Sequence, residues 1–249
     1  MSLVETITLA SVFLFVLVHV FGGKLTFLNV TPRSVWLSAA GGVSVAYVFV
    51  HLLPELAQHQ ETLQERTRLG DGPLAGIESH AYLIALAGLG LFYGVERFAR
   101  SAGGTNKADG GKEIPATVFW THLSAFALYN VLIGYLLVHR EEGDLRGLII
   151  YAIAMGLHFI VNDQGLRGQH GGTYHRYGRW LLAAAPVIGY LIGISTEISP
   201  LLLSSLFAFL AGGVILNVLK EELPEERESR FWAFAGGAAL YTVLLLATS

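Results

Sequence analysis

Eight stretches of this chain are apolar over about the 20 residues that carry a helix across a bilayer, and few soluble folds can absorb that pattern. They run over 3–21, 34–57, 80–97, 116–138, 146–166, 179–195, 200–219 and 231–248. In lipid a helix satisfies its own backbone hydrogen bonds, so each stretch is expected to be helical. The fold class read from the sequence is therefore all-α: a polytopic membrane protein with eight transmembrane helices, residues 1–249 forming one domain. Composition agrees. Only 14% of residues are charged, against about 25% in an average soluble domain, and the mean hydropathy is +0.54.

Several functions are excluded at this level. A net charge of −3 offers no basic face for nucleic acid. The absence of cysteine removes thiolate metal sites and cysteine nucleophiles, leaving His, Asn, Asp, Glu, Gln and backbone oxygens as metal ligands. No phosphate-binding motif points to a nucleotide or other cofactor. An intramembrane hydrolase would be expected to carry HExxH or GxSxG, and neither occurs. The chain is read as a non-enzyme.

The first apolar run lacks a basic start and carries Glu5 there, so it is read as a retained span rather than a cleaved signal. Segment 58–79 reads as a long charged connection. Segment 101–114, SAGGTNKADGGKEI, reads as a flexible cytoplasmic loop. Alternate loops divide the 16 Lys and Arg unevenly, twelve to four, the poorer side holding Arg66, Arg68, Arg140 and Arg146. The richer side should be cytoplasmic, which puts both termini outside. The expected location is an integral position in a cell membrane, and a short chain without a long His-rich loop reads as prokaryotic. Glycines number 29 and are read as close helix packing; glycine-rich faces would also permit a homodimer.

Residues 40–55 read AGGVSVAYVFVHLLPE and residues 211–225 read AGGVILNVLKEELPE. Under this topology the two segments run in opposite directions. That is the mark of an inverted repeat, spans 1–3 and 6–8 around spans 4–5, of the kind secondary transporters use.

Polar residues inside the spans are costly and mark paths or cavities. The fifth span contains HFIVND. His158 and Asn162 are four apart and share a face, while Asp163 lies about 140° round from His158 and can meet a neighbouring helix. Imidazole with amide and carboxylate oxygens suits zinc, iron or manganese; the same groups can instead fix packing by hydrogen bonds. The fourth span adds His122, Tyr129 and Asn130. At the outer end of the second span His51, Glu55 and His59 form a row that makes a candidate outer vestibule, with Glu61, Glu65 and His80 nearby. His170, His175, Glu221 and Glu222 make a candidate inner vestibule. His19 stands isolated in the first span and is expected to be a packed histidine.

These residues and this topology resemble the ZIP family of divalent-metal transporters. The resemblance covers most of the chain: eight spans, outside termini, a cytoplasmic loop after the third span, and second and seventh spans ending in LPE. It implies a metal site at Tyr129, Asn130, His158, Asn162 and Asp163. YNVLIG matches the fourth-span motif of histidine-asparagine-x-x-acid-glycine with Asn130 and Gly134 kept, but Tyr129 and Ile133 stand where that family has its histidine and acid. HFIVND matches the fifth-span motif with His158 and Asp163; Asn162 replaces a histidine, and Phe159 and Val161 replace a glutamate and a proline. Ala185 before Pro186 stands where the family often has a glutamate. The resemblance thus implies either a divergent carrier with a weakened site or a non-transporting relative, a partner, sensor or scaffold.

Overall fold

The structure, a computed structural model, describes residues 2–25, 34–67, 80–105, 116–139, 145–222 and 230–247. Among these residues all regular structure is helical. The elements are α1 (Leu3–Phe21), α2 (Val35–Tyr47), α3 (Leu53–Thr67), α4 (Ala81–Thr105), α5 (Ala116–Leu136), α6 (Leu145–Thr173), α7 (Arg179–Ser195), α8 (Pro200–Glu222) and α9 (Phe231–Leu246). A π-helical turn, Val48–Leu52, joins α2 to α3 without a break, and a second, Tyr174–Gly178, joins α6 to α7. Among the described residues seven helical segments are long and apolar enough to cross a membrane. The shorter α9 has 16 residues, about 24 Å at the usual rise per residue.

Local signals explain the helix starts. Glu5 completes a capping box with Ser2, so it is there to satisfy free N–H groups of the first turn. Ser34 caps α2 through Leu37 N at 3.0 Å. Ser199 caps α8 ahead of Pro200, the position where a missing N–H costs nothing.

Two expected loops prove to be partly helix. Residues 58–67 continue α3, and 101–105 continue α4; 68–79 and 106–115 lie outside the described residues. The segment 167–178, expected as a connection between the fifth and sixth spans, is also helical. Its course bends at Gly171, whose φ of 53° and ψ of −126° suit glycine alone. That bend folds Tyr174 back towards α6.

Reciprocal glycines set the closest helix pairs. Between α2 and α9, a Cβ on Gly42 would strike the Phe234 carbonyl and one on Gly237 the Ala39 carbonyl. Gly88 and Gly212 do the same between α4 and α8, against Phe209 and Ala85. Gly134 and Gly189 do it between α5 and α7, against Pro186 and Val131. Small residues at these crossings let backbones meet, the way helices associate where lipid supplies no hydrophobic drive between them. The interior thus formed is filled by Phe15, Tyr47, Tyr129, Met155 and Phe159. Outward-facing residues such as Leu240 and Phe13 are well exposed and apolar. In water such a surface would be an aggregation hazard; against acyl chains it is matched to its surroundings, so the molecule reads as an integral membrane protein.

Candidate functional site

The polar residues of α6 point into the bundle. His158, Asn162 and Asp163 are all buried, Asp163 at 0% exposure. The structure divides the five expected metal residues between two adjoining groups.

The first group is Tyr129, His158 and Asn162. His158 Nε2 lies 2.9 Å from Tyr129 Oη and 2.9 Å from Asn162 Nδ2. As a bare ring nitrogen it accepts from the tyrosine O–H and the amide N–H. The helical spacing of four delivers the second contact; the first joins α5 to α6. Asn162 Oδ1 is buried and has no hydrogen-bond partner among the described residues. This arrangement goes with a His158 Nε2 that carries no proton; with the amide arms exchanged, Nε2 would donate to Oδ1 and the unpartnered group would be an N–H.

The second group is built on Asp163. Its Oδ1 accepts from Tyr174 O–H at 2.6 Å and faces His19 Nδ1 at 2.9 Å. Its Oδ2 faces Arg167 Nη2 at 3.4 Å. His19 Nε2 in turn lies 3.0 Å from Asn130 Nδ2. A neutral His19 with its proton on Nδ1 satisfies both neighbours, donating to Asp163 and accepting from Asn130. His19 is therefore no isolated packing residue: it ties α1 to α5 and α6. Its signal in the sequence was the cost of burying an imidazole without a partner. Arg167 and Tyr174 were also missed, since both lie in a segment whose composition reads as a loop.

Phe159 separates the two groups sideways, its ring centroid 4.7 Å from that of His19 and 6.4 Å from that of His158. Ile133 and Ala185 are buried and apolar. Among the described residues no three His, Cys, Asp or Glu side chains converge as a metal cage.

Towards the end of the bundle where α3 begins, His51 and Glu55 approach to 3.5 Å. His59 is buried against Ser204 Oγ at 2.9 Å. Glu55 and His59 line a cavity of about 30 Å³ together with His139, Tyr151 and Met155, room for one or two water molecules. Glu61, Glu65 and His80 lie away from it, solvent-exposed or at the surface. At the opposite end, Glu96 Oε2 lies 2.9 Å from His122 Nε2 and 2.8 Å from Lys220 Nζ. His122 Nδ1 meets His170 Nε2 at 2.9 Å. His175 is exposed and apart from this cluster, and the side chains of Glu221 and Glu222 lie outside the described residues.

No known family profile matches the chain, and no curated protein matches it.

Proposed function

We propose that this chain is a ZIP-like carrier that moves a divalent cation, zinc, iron or manganese, towards the cytoplasm through the middle of the bundle. The observation that carries the reading is the unpartnered amide oxygen of Asn162, buried beside His158 Nε2 and Tyr129 Oη. An orphaned acceptor at membrane depth costs free energy unless something electropositive visits it. Asn162 Oδ1, His158 Nε2 and Tyr129 Oη would hold the ion in one of the two groups, and Asp163 would receive it in the other. The polar groups at either end of the bundle support a route: Glu55, His59 and His139 around the cavity on one side, Glu96, His122 and His170 on the other. Three neutral donors and one carboxylate compensate a dehydrated divalent ion poorly, so low affinity belongs to this reading.

The helix pairing supports the inverted repeat. Exchanging the first three spans for the last three turns the α2–α9 pair into the α8–α4 pair, and both are closed by reciprocal glycines. A homodimer would use α4, where Gly90 and Gly94 face open space four residues apart; a Gly94→Leu variant that leaves the oligomeric state unchanged would reject that interface.

The test is uptake of zinc, iron and manganese into proteoliposomes, with Asp163→Ala and His158→Ala beside the parent. Uptake by the parent that both substitutions abolish is expected; uptake indifferent to both refutes the site. A second reading, a non-transporting membrane protein serving as partner, sensor or scaffold, is favoured by one observation: Asp163 already has three partners, one of them a cation. Well-folded protein that binds none of the three metals would support it.

A further inference from the structure

We propose that Arg167 is a tethered substitute for the transported cation: its guanidinium holds the cation's place at Asp163 and withdraws when an ion enters. The inference rests on the carrier reading and adds regulation to the same site.

Asp163 is the carboxylate of the central groups, and it is fully buried. A carboxylate in that position needs a positive partner. The only permanently cationic side chain placed against it among the described residues is Arg167, one helical turn further along α6. A divalent ion and a guanidinium cannot share one carboxylate in a low-dielectric interior without strong repulsion, so the two compete for the same place.

The way Arg167 is held favours departure over permanence. A guanidinium that serves structure normally grips a carboxylate with two short parallel bonds, about 2.7–2.9 Å each. Here one nitrogen approaches one oxygen at 3.4 Å. Among the described residues Nε and Nη1 are buried without hydrogen-bond partners, so the guanidinium is held by Asp163 and Tyr174 alone. The head lies over the ring of Tyr174, 5.6 Å from its centroid. Tyr174 and His19 both stay on Oδ1, which leaves Oδ2 as the oxygen that an exchange of guanidinium for metal would free.

The seat is shaped by a glycine pair. A Cβ on Gly23 would come within 2.9 Å of Arg167 Cζ, and one on Gly22 within 3.3 Å of Nη2. The short turn Gly22–Lys24 after α1 thus leaves a slot the size of the guanidinium. The side chain remains 15% exposed, so its long stem can carry the head away from the core while Cα stays in the helix.

The experiment measures Zn²⁺ and Mn²⁺ binding to purified full-length protein by titration calorimetry. The proteins compared are the parent, Arg167→Met, Arg167→Lys and the double variant Asp163→Asn with Arg167→Met. Removing the guanidinium should tighten binding of at least one metal tenfold or more. Lysine, which keeps the charge, should bind no better than the parent, and the double variant should lose the gain. If Arg167→Met folds only when metal is present during extraction, that rescue is the expected result in another form, since the metal then supplies the missing positive charge. Binding by Arg167→Met no tighter than the parent's, or a failure to fold that neither metal rescues, overturns the proposal. Uptake separates it from the carrier reading. Tight binding by Arg167→Met without uptake by the parent sinks the carrier and keeps the substitution of cations. Parent uptake that responds to Asp163 but not to Arg167 sinks the substitution and keeps the carrier.

Discussion

Tyr174 reaches Asp163 across eleven residues of chain, and its O–H donates to the carboxylate at 2.6 Å. A hydrogen bond to a charged acceptor contributes about 1.5–3 kcal/mol, so Tyr174→Phe should lower stability by roughly that amount. Thermal unfolding in detergent checks it, and an unchanged midpoint would mean that the hydroxyl is not holding the carboxylate. The stacking of His158 on Asn162 was legible in the sequence, because a spacing of four fixes a shared helix face. The turn of Asp163 towards another helix was legible for the same reason. Its partner His19 was not: the two are 144 positions apart, and no local pattern encodes which distant histidine a carboxylate will meet. Arg167 was visible only as one more positive charge for the orientation count, since its reach back to Asp163 depends on the helix continuing where glycines and polar residues suggest a loop.

At the scale of elements, length and apolarity were enough to place the spans, whereas the polar extensions of helices were hidden. Residues 58–67 and 167–178 are polar or glycine-rich, and composition there competes with helix continuation; contacts such as His59 with Ser204 and Tyr174 with Asp163 decide for the helix. Gly171 makes the turn between α6 and α7 possible. Alanine would be forced into a region nearly closed to it, at a cost of about 1–3 kcal/mol, and Gly171→Ala should both melt earlier and move Tyr174 off Asp163. A lowered midpoint that the further change Tyr174→Phe does not lower again would display that coupling; full additivity would deny it. The glycine crossings carry a different expectation. Gly189→Ala places a methyl group against the Val131 carbonyl, where neither backbone can yield without separating α5 from α7. Overpacking of this kind costs about 1–3 kcal/mol, and the same change at Gly172, which has open space beside it, should cost well under that. Equal losses at the two positions would remove the close crossing as the cause.

For the whole molecule, the aromatic residues bear on how the helix ends are levelled in the bilayer, alongside the charge count. The chain has four tryptophans. Trp36, Trp120, Trp180 and Trp232 are all exposed, and each falls in the opening turns of its helix, α2, α5, α7 and α9. If every span crosses, these four helices start on one side. The tryptophans then share one interface, where indole rings favour the headgroup level. That is the side to which the positive charges were assigned, and Arg179 lies over the Trp180 ring at 4.8 Å. Indole rings sit at both interfaces, so the tryptophans align these four helix starts at one headgroup level, and the charge count alone points to the cytoplasmic side. Because the chain has no cysteine, single cysteines report side without background. Leu3→Cys and Ala247→Cys should react with a membrane-impermeant maleimide added to intact cells, and Gly172→Cys only after the membrane is opened. Labelling of Gly172→Cys in intact cells would invert the orientation and exchange the two vestibules. Labelling of one terminus but not the other would break the even number of crossings, and with it the proposed inverted repeat.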